Sequence, residues 1–222
     1  MILSETRGRV RVLTLNRPEK RNALNGALCA AVLQGLREAD ADPNVAAVAL
    51  LAAGPGFSAG ADLGERQIIG DDEAARAART RLSLDMLSAP GLMGKPVVAG
   101  MHGHAVGAGA TLALCCDMTI GADDLKISYP EAKHNIYPWL VMPTLLRHVG
   151  PKTAFDLLAT GRMVGAEEAL RLGLVNRVVP RAELAEACCA MAEGAALYGA
   201  EPLRRIKAAV NAKGEGLEPS AP

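Results

Sequence analysis

The chain has 222 residues, half of them hydrophobic, enough for one compact domain that buries most of the surface its unfolded form exposes without help from metals or disulfides. Its 24 basic and 24 acidic residues cancel and only 3% of its residues are aromatic, so neither a polyanion groove nor a stacking platform for single-stranded nucleic acid is expected. No run nears the roughly 18 uninterrupted apolar residues of a transmembrane helix, and the first segment, MILSETRGRVRVLTLNRP, lacks the apolar core of a signal peptide.

Residues 10–15 and 45–52 are short apolar runs, and residues 25–39 between them have helical spacing, which predicts a strand, a helix and a strand. Residues 71–81 are charged and alanine-rich and read as a solvated helix or a mobile lid. KPVVAGM (residues 95–101) reads as another strand, followed by the glycine-rich HGHAVGAGA, a short apolar helix to Leu114 and a strand over residues 117–120. This alternation predicts α/β architecture with a largely parallel, buried sheet over residues 1–142. Beyond Pro143 helical spacing takes over, at residues 144–149, 153–159, 166–172, 184–197 and 203–212, so residues 143–213 are expected to be helical. The tail, residues 214–222, has too little apolar content to pack and is expected to fray. Five cysteines include the adjacent pairs Cys115-Cys116 and Cys188-Cys189, which suit neither a disulfide framework nor metal-ligand spacing. They read as reduced, core-filling thiols of a cytoplasmic protein.

Three segments have the chemistry of a site. In GPGFSAGADL (residues 54–63) the small residues Ala59, Gly60 and Ala61 admit a ligand to the backbone, and Asp62 is placed to cap the following helix. A tight strand-to-helix connection without a ligand explains the same residues. In GHAVGAGA (residues 103–110) the endings of a phosphate-binding loop and the dinucleotide spacing are both missing, which leaves a helix start whose N–H groups, near Ala108, are open to a ligand. Two such donors converging on one oxygen make an oxyanion hole. In ISYPEAKHNIYP (residues 127–138) Glu131 follows a proline among apolar and aromatic residues, a setting that raises a carboxyl toward a general base's range; beside Lys133 and His134 it also reads as a surface ion-pair residue.

Together with NRPEKRNALN (residues 16–25) and GRMVGAEEALRLGLVNRVVP (residues 161–180), these segments, in this order, resemble the enoyl-CoA hydratase/isomerase (crotonase) superfamily over about nine tenths of the chain. The resemblance implies a spiral of ββα units ending in a helical region, assembled as a homotrimer or a hexamer, acting on acyl-CoA with no cofactor beyond the coenzyme A of the substrate. It implies an oxyanion hole at the N–H groups of Ala61 and Ala108, with Glu131 as acid/base. Backbone around Arg21, Ala23 and Leu24 would hold the coenzyme A, with Ala59 beside the thioester and Asp62, Leu63, Gly107, Thr111 and Tyr137 bordering the substrate. Arg17, Lys20 and Arg21 would meet its phosphates, or form a solvated basic loop.

Two departures bear on the reaction. Hydratases of the family carry a second glutamate where this chain has Thr111, and syn hydration calls for two carboxylates, whereas moving a double bond needs one base; the residues therefore lean to isomerisation. The family pattern also continues for several helical turns past Lys213, which would leave the acyl pocket walled by Tyr137, Trp139, Leu140 and Met142. Other readings compete: a catalytically impaired CoA-binding homologue, a metal site at His102, His104 and Asp117, and a serine hydrolase with Ser58 in GFSAG as nucleophile and His134 or His148 as base.

Overall fold

The computed structural model describes residues 1–212, so the tail expected to fray lies outside the described residues. Strand β1 (Ile2–Arg7) runs antiparallel to β2 (Val10–Leu15), and β2 is followed by helix α1 (Gly26–Ala41) and β3 (Ala47–Ala52). Helices α2 (Leu63–Ile69) and α3 (Glu73–Leu92) lead to β4 (Val97–Met101), β5 (His104–Val106), α4 (Ala108–Leu114), β6 (Met118–Ala122) and β7 (Lys126–Ser128). After α5 (Met142–His148) and α6 (Pro151–Thr160) come β8 (Val164–Gly165), α7 (Ala166–Arg171), β9 (Arg177–Val179), α8 (Leu184–Ala195) and α9 (Ala200–Asn211).

The main sheet has six strands in the order β1-β2-β3-β4-β6-β9, parallel except for β1; β5, β7 and β8 form a second sheet. From β4 to β7 the chain alternates between them, one strand in the main sheet and then one in the smaller sheet; β8 stays in the smaller sheet and β9 returns to the main one. The main sheet is covered on both faces. One side packs on α1, α3 and α4 through Leu13, Leu28, Leu36, Leu50, Met86 and Leu112, and the other on α8 through Val12, Ala49, Val98, Ile120 and Cys188. This explains why β3 and β4 read as continuous apolar runs rather than alternating ones.

The expected helix over residues 71–81 is the first half of α3, capped by Asp72, whose side chain accepts the Ala75 N–H; the second half turns Met86, Leu87 and Ala89 into the core. Past residue 143 the chain is not helical throughout: β8 and β9 interrupt it, and β9 extends the main sheet beside β6. Residues 177–179 are too few to show a strand's alternation. Helix α9 is tied down by Lys207, whose ammonium donates to Asp117 Oδ2 (2.8 Å) and Lys95 O (2.9 Å).

One buried side chain holds the first loop. Asn22, in the left-handed region at φ 52° and fully buried, donates to Ala53 O (2.8 Å) and Gly56 O (3.2 Å) and accepts the Arg17 N–H (2.8 Å). Asparagine tolerates this backbone conformation better than most residues. Replacing it by alanine leaves three main-chain groups without partners, and Asn22→Ala is expected to lower unfolding stability by about 3 kcal/mol. Urea denaturation checks this; a midpoint unchanged from wild type would show that the loop holds itself.

Candidate functional site

Residues 54–61 run between two other backbones. On one side Ser58 N–H donates to His104 O (3.1 Å) and Val106 N–H to Ser58 O (2.9 Å). On the other, Ala59 N–H donates to Arg21 O (2.9 Å), Leu24 N–H to Gly60 O (2.8 Å) and Asp62 N–H to Leu24 O (3.3 Å). In an extended parallel pair the residue between two bonded neighbours turns its own N–H away from the partner. Ala61 is that residue, and among the described residues its N–H meets no acceptor.

The second donor arises from a helix start. Gly107, at φ 48°, donates its N–H to Ser128 O (2.9 Å) and turns the chain into α4, so Ala108 is the first helical residue. A first-turn N–H has no carbonyl one turn earlier to bond, and among the described residues Ala108 N–H also meets no acceptor. The two connections meet backbone to backbone: a Cβ on Gly60, at φ 88°, would stand 2.8 Å from Val106 O and 3.8 Å from Ala108 N. Ala61 and Ala108 line one small cavity of about 20 Å³, room for a single water-sized group, with Leu24, Met86, Arg79 and Leu140.

Glu131 opens a short 3-10 turn (Glu131–His134) after Pro130 and stands against the same helix start, its Oε1 so close to Gly107 that any Cβ there would collide with it. Its Oε2 is buried without a hydrogen-bond partner. Burial pushes the Glu131 carboxyl above the ordinary carboxylate range, against smaller opposing effects of a backbone hydrogen bond and His134. Thr111 lies one helical turn on, fully buried, with its hydroxyl donating to Gly107 O (3.0 Å).

The other expected site residues divide. Asp62 caps α2, accepting Gly64 N–H (3.0 Å) and Glu65 N–H (3.1 Å), and the hydrogen bond from Arg17 holds its carboxyl below the usual range. Arg17 is engaged with Asp62 and with Ala23 O, while Lys20 and Arg21 are exposed at the loop's rim. Leu63 is exposed at the start of α2, and Leu24 is buried at the bridge to Ala61. Tyr137 and Trp139 are 69% and 46% exposed, so neither walls the cavity; of the four expected wall residues Leu140 alone lines it.

The serine-hydrolase and metal readings find no support in the same geometry. Ser58 is fully buried, its hydroxyl donating to Asn22 O (2.8 Å) and accepting Gly60 N–H (3.2 Å), so it braces the loop and has no route to a substrate. His148 is engaged with Leu114 O. His102 faces Gly54 O and a separate cavity of about 200 Å³ beside Arg181, His104 is exposed on β5, and Asp117 accepts Lys207 and the Val97 N–H; among the described residues no group of three ligands converges for a metal.

Sequence reasoning missed two supports. Arg79, on α3, donates to Leu24 O (2.6 Å) and Glu65 Oε2 (2.7 Å), while Glu65 Oε1 accepts the Gly26 N–H (2.8 Å), fixing the backbone behind Ala61. An arginine in a segment that looked solvated gave no signal of this. Tyr129, between β7 and Glu131, was passed over as part of a motif; it is 1% exposed and its hydroxyl has no hydrogen-bond partner.

The α/β spiral brings two unpaired backbone N–H groups to one small cavity, with Glu131 against the same helix start, and the fold is that of crotonase-like proteins. The enoyl-CoA hydratase/isomerase family model matches residues 5–221. A Thermus thermophilus protein bearing the enoyl-CoA hydratase name is 42% identical, covering 96% of this chain and 85% of its own. The crotonyl-CoA hydratase of Syntrophomonas wolfei is 34% identical, covering 98% and 82%. Among solved structures, the enoyl-CoA hydratase of Mycobacterium smegmatis superposes with a TM-score of 0.90 at 32% identity, covering 97% of this chain and 84% of that one. This chain belongs to the enoyl-CoA hydratase/isomerase family and is an acyl-CoA enzyme of it.

Because Glu131 abuts the Gly107 Cα, Gly107→Ala is expected to push the carboxylate aside and lower acyl-CoA turnover by about 10² or more, with a modest loss of thermal stability. Steady-state kinetics beside a thermal melt checks this; full activity in the variant would show that Glu131 has room to move without consequence.

Proposed function

We propose that the protein stabilises the enolate of an enoyl-CoA thioester with the N–H groups of Ala61 and Ala108 and uses Glu131 as its acid/base, favouring migration of a double bond from the β,γ to the α,β position. The observation that carries this reading is the Glu131 carboxyl, one oxygen buried and unpaired, against the helix start that owns the unpaired Ala108 N–H, with Thr111 where the family resemblance puts a second carboxylate. The thioester carbonyl oxygen accepts from both N–H groups. Glu131 takes a proton from the α-carbon, and its electron pair spreads over a dienolate whose charge rests on that oxygen. The same carboxyl returns the proton at the γ-carbon, the π bond settles between the α- and β-carbons, and the carbonyl reforms.

Coenzyme A enters as part of the substrate, along the backbone of Arg21, Ala23 and Leu24, with Ala59 beside the thioester and Asp62, Leu63 and Gly107 at its edges; no separate cofactor is invoked. The working assembly is a homotrimer or hexamer in the cytoplasm. No helix among the described residues is long and apolar enough to cross a membrane. Hydration of an α,β-enoyl thioester is the second reading, favoured by the relatives that carry the hydratase name.

Glu131→Gln separates both readings from an inactive binding protein. Mass-spectrometric assay with β,γ- and α,β-enoyl-CoA is expected to show turnover by the wild type and a loss of about 10² to 10⁴ in the variant, with substrate still bound. Activity unaltered by the substitution would exclude Glu131 as the base.

The raised carboxyl sets two pH dependences. Only the ionised form accepts a proton, so kcat/KM should rise with pH on a limb above the ordinary carboxylate range. The unfolded chain loses this proton at lower pH than the folded one, so ionisation costs the folded state, and stability from this group falls as pH climbs from the ordinary value through the raised one. Glu131→Gln should then melt higher than wild type at neutral pH, with the gap closing in acid; melting curves across pH that coincide for the two proteins would refute the sign.

A further inference from the structure

Around Gly107 stand two buried polar atoms with no hydrogen-bond partner, Glu131 Oε2 and the Tyr129 hydroxyl. Buried polar groups are satisfied in the large majority of cases, and an orphan of this kind marks a place where a ligand atom or a water completes the set. Here the two orphans come from residues two apart in sequence, on either side of Pro130, and both border α4: Glu131 against Gly107, Tyr129 beside Thr111. The phenol is 1% exposed, and burial pushes its pKa far up against the opposing effect of hydrogen bonding to the Thr111 hydroxyl, with the Glu131 carboxylate adding a smaller push, so it is a neutral O–H.

The neighbouring hydroxyl has a settled direction. Thr111 Oγ1 spends its proton on Gly107 O at 3.0 Å, which leaves its lone pairs as acceptors. A proton on Tyr129 Oη that turns toward Thr111 finds an acceptor there, which leaves the lone pairs of Oη free. Glu131 Oε2, ionised, is also an acceptor. A group bound between the two must therefore offer two hydrogens from one atom, and water is the small molecule that does so while keeping a lone pair for attack.

We propose that Tyr129 is the second polar group of the active site, holding one water between its hydroxyl and Glu131, and that this gives the enzyme a hydration activity despite Thr111. The proposal rests on Glu131 being the acid/base. In the step, the water oxygen attacks the β-carbon of an α,β-enoyl thioester and forms a C–O bond while one of its O–H bonds breaks. That proton goes to Glu131, and the π pair moves onto the thioester oxygen as an enolate held by the Ala61 and Ala108 N–H groups. Glu131 then returns the proton to the α-carbon and the carbonyl reforms, so water is the only reactant added and the carboxylate is regenerated. Tyr129 accepts the second hydrogen of the water throughout and exchanges no proton; it is a positioning residue.

The test measures, for the full-length protein, hydration of crotonyl-CoA in H₂¹⁸O and double-bond migration of a β,γ-enoyl-CoA, with Tyr129→Phe, Thr111→Val and Glu131→Gln alongside. Tyr129→Phe keeps the ring and removes the hydroxyl, so the ratio of hydration to migration is expected to fall about ten-fold or more, carried by kcat rather than KM. Thr111→Val removes the acceptor that orients the phenol and is expected to lower the same ratio. It also keeps the proposal testable should Tyr129→Phe not fold. A wild type that incorporates no ¹⁸O, a ratio unchanged in both variants, or hydration and migration falling together would overturn the proposal. Glu131→Gln tells the two levels apart: if it abolishes both reactions while the ratio ignores Tyr129, the water site alone is wrong, and if it abolishes neither, the assignment of Glu131 falls with it.

Discussion

The proposed chemistry of this chain depends on how closely two strand-to-helix connections approach. Residues 54–61 pass between the first loop and β5 with main-chain hydrogen bonds on both sides, and the seam closes because glycine stands wherever a side chain would enter it. A Cβ at Gly56 would lie 2.7 Å from His104 N, one at Gly60 2.8 Å from Val106 O and one at Gly109 2.6 Å from Ser58 Cβ. The first two are backbone contacts with no room to relax, and the third is with the root of a fully buried side chain. The seam converts a general property of proteins, that every extended segment and every helix start owns an N–H to spare, into a pair of N–H groups facing one cavity.

What surrounds the seam keeps it rigid at a cost in buried polarity. Asn22, Ser58, Arg79 and Glu65 are all spent on main-chain groups of the two loops, each with defined partners. Glu131 and Tyr129 are the exception: they border the same helix, Tyr129 fully buried and Glu131 half-buried, and each is left with a buried oxygen unpaired. Unpaired buried polar groups lower stability and are retained where chemistry uses them. The contrast within one small region, satisfied groups that brace and unsatisfied groups that wait, separates scaffold from machinery more sharply than residue type does, since both sets hold a glutamate.

The main α/β pattern was legible because a parallel sheet covered on both faces needs apolar strands, and residues 47–52 and 97–101 are continuous apolar runs while residues 10–15 are broken only by Arg11 and Thr14. Strand β1 was not legible: it is an exposed edge whose side chains, Glu5 and Arg7 among them, report no buried face. Strands β5, β7, β8 and β9 are two or three residues long and exist only through pairing with distant partners, which leaves no local signal. At the site, Ala61, Ala108 and Glu131 were reachable through motif resemblance, as was Asp62 through capping chemistry. Tyr137 was named through the resemblance and stands exposed on the surface, and Tyr129 was missed because depth and an absent partner are properties of the assembled chain.

Donors that belong to the main chain are invisible to most genetics. Replacing Ala61 or Ala108 by any of eighteen other residues changes a side chain and leaves the N–H where it was, so an alanine scan or a survey of natural variants would score these positions by bulk alone. Proline alone, among the encoded residues, deletes the group, and it alters the backbone as it does so. Swapping the amide for an ester by chemical synthesis is the clean way to subtract one donor. Sequence drift in such a protein is therefore channelled to the carboxylate, the hydroxyls beside it and the acyl wall, and lineages that diverge in reaction or substrate can keep the same electrostatic centre without conserving the identity of a single side chain that forms it.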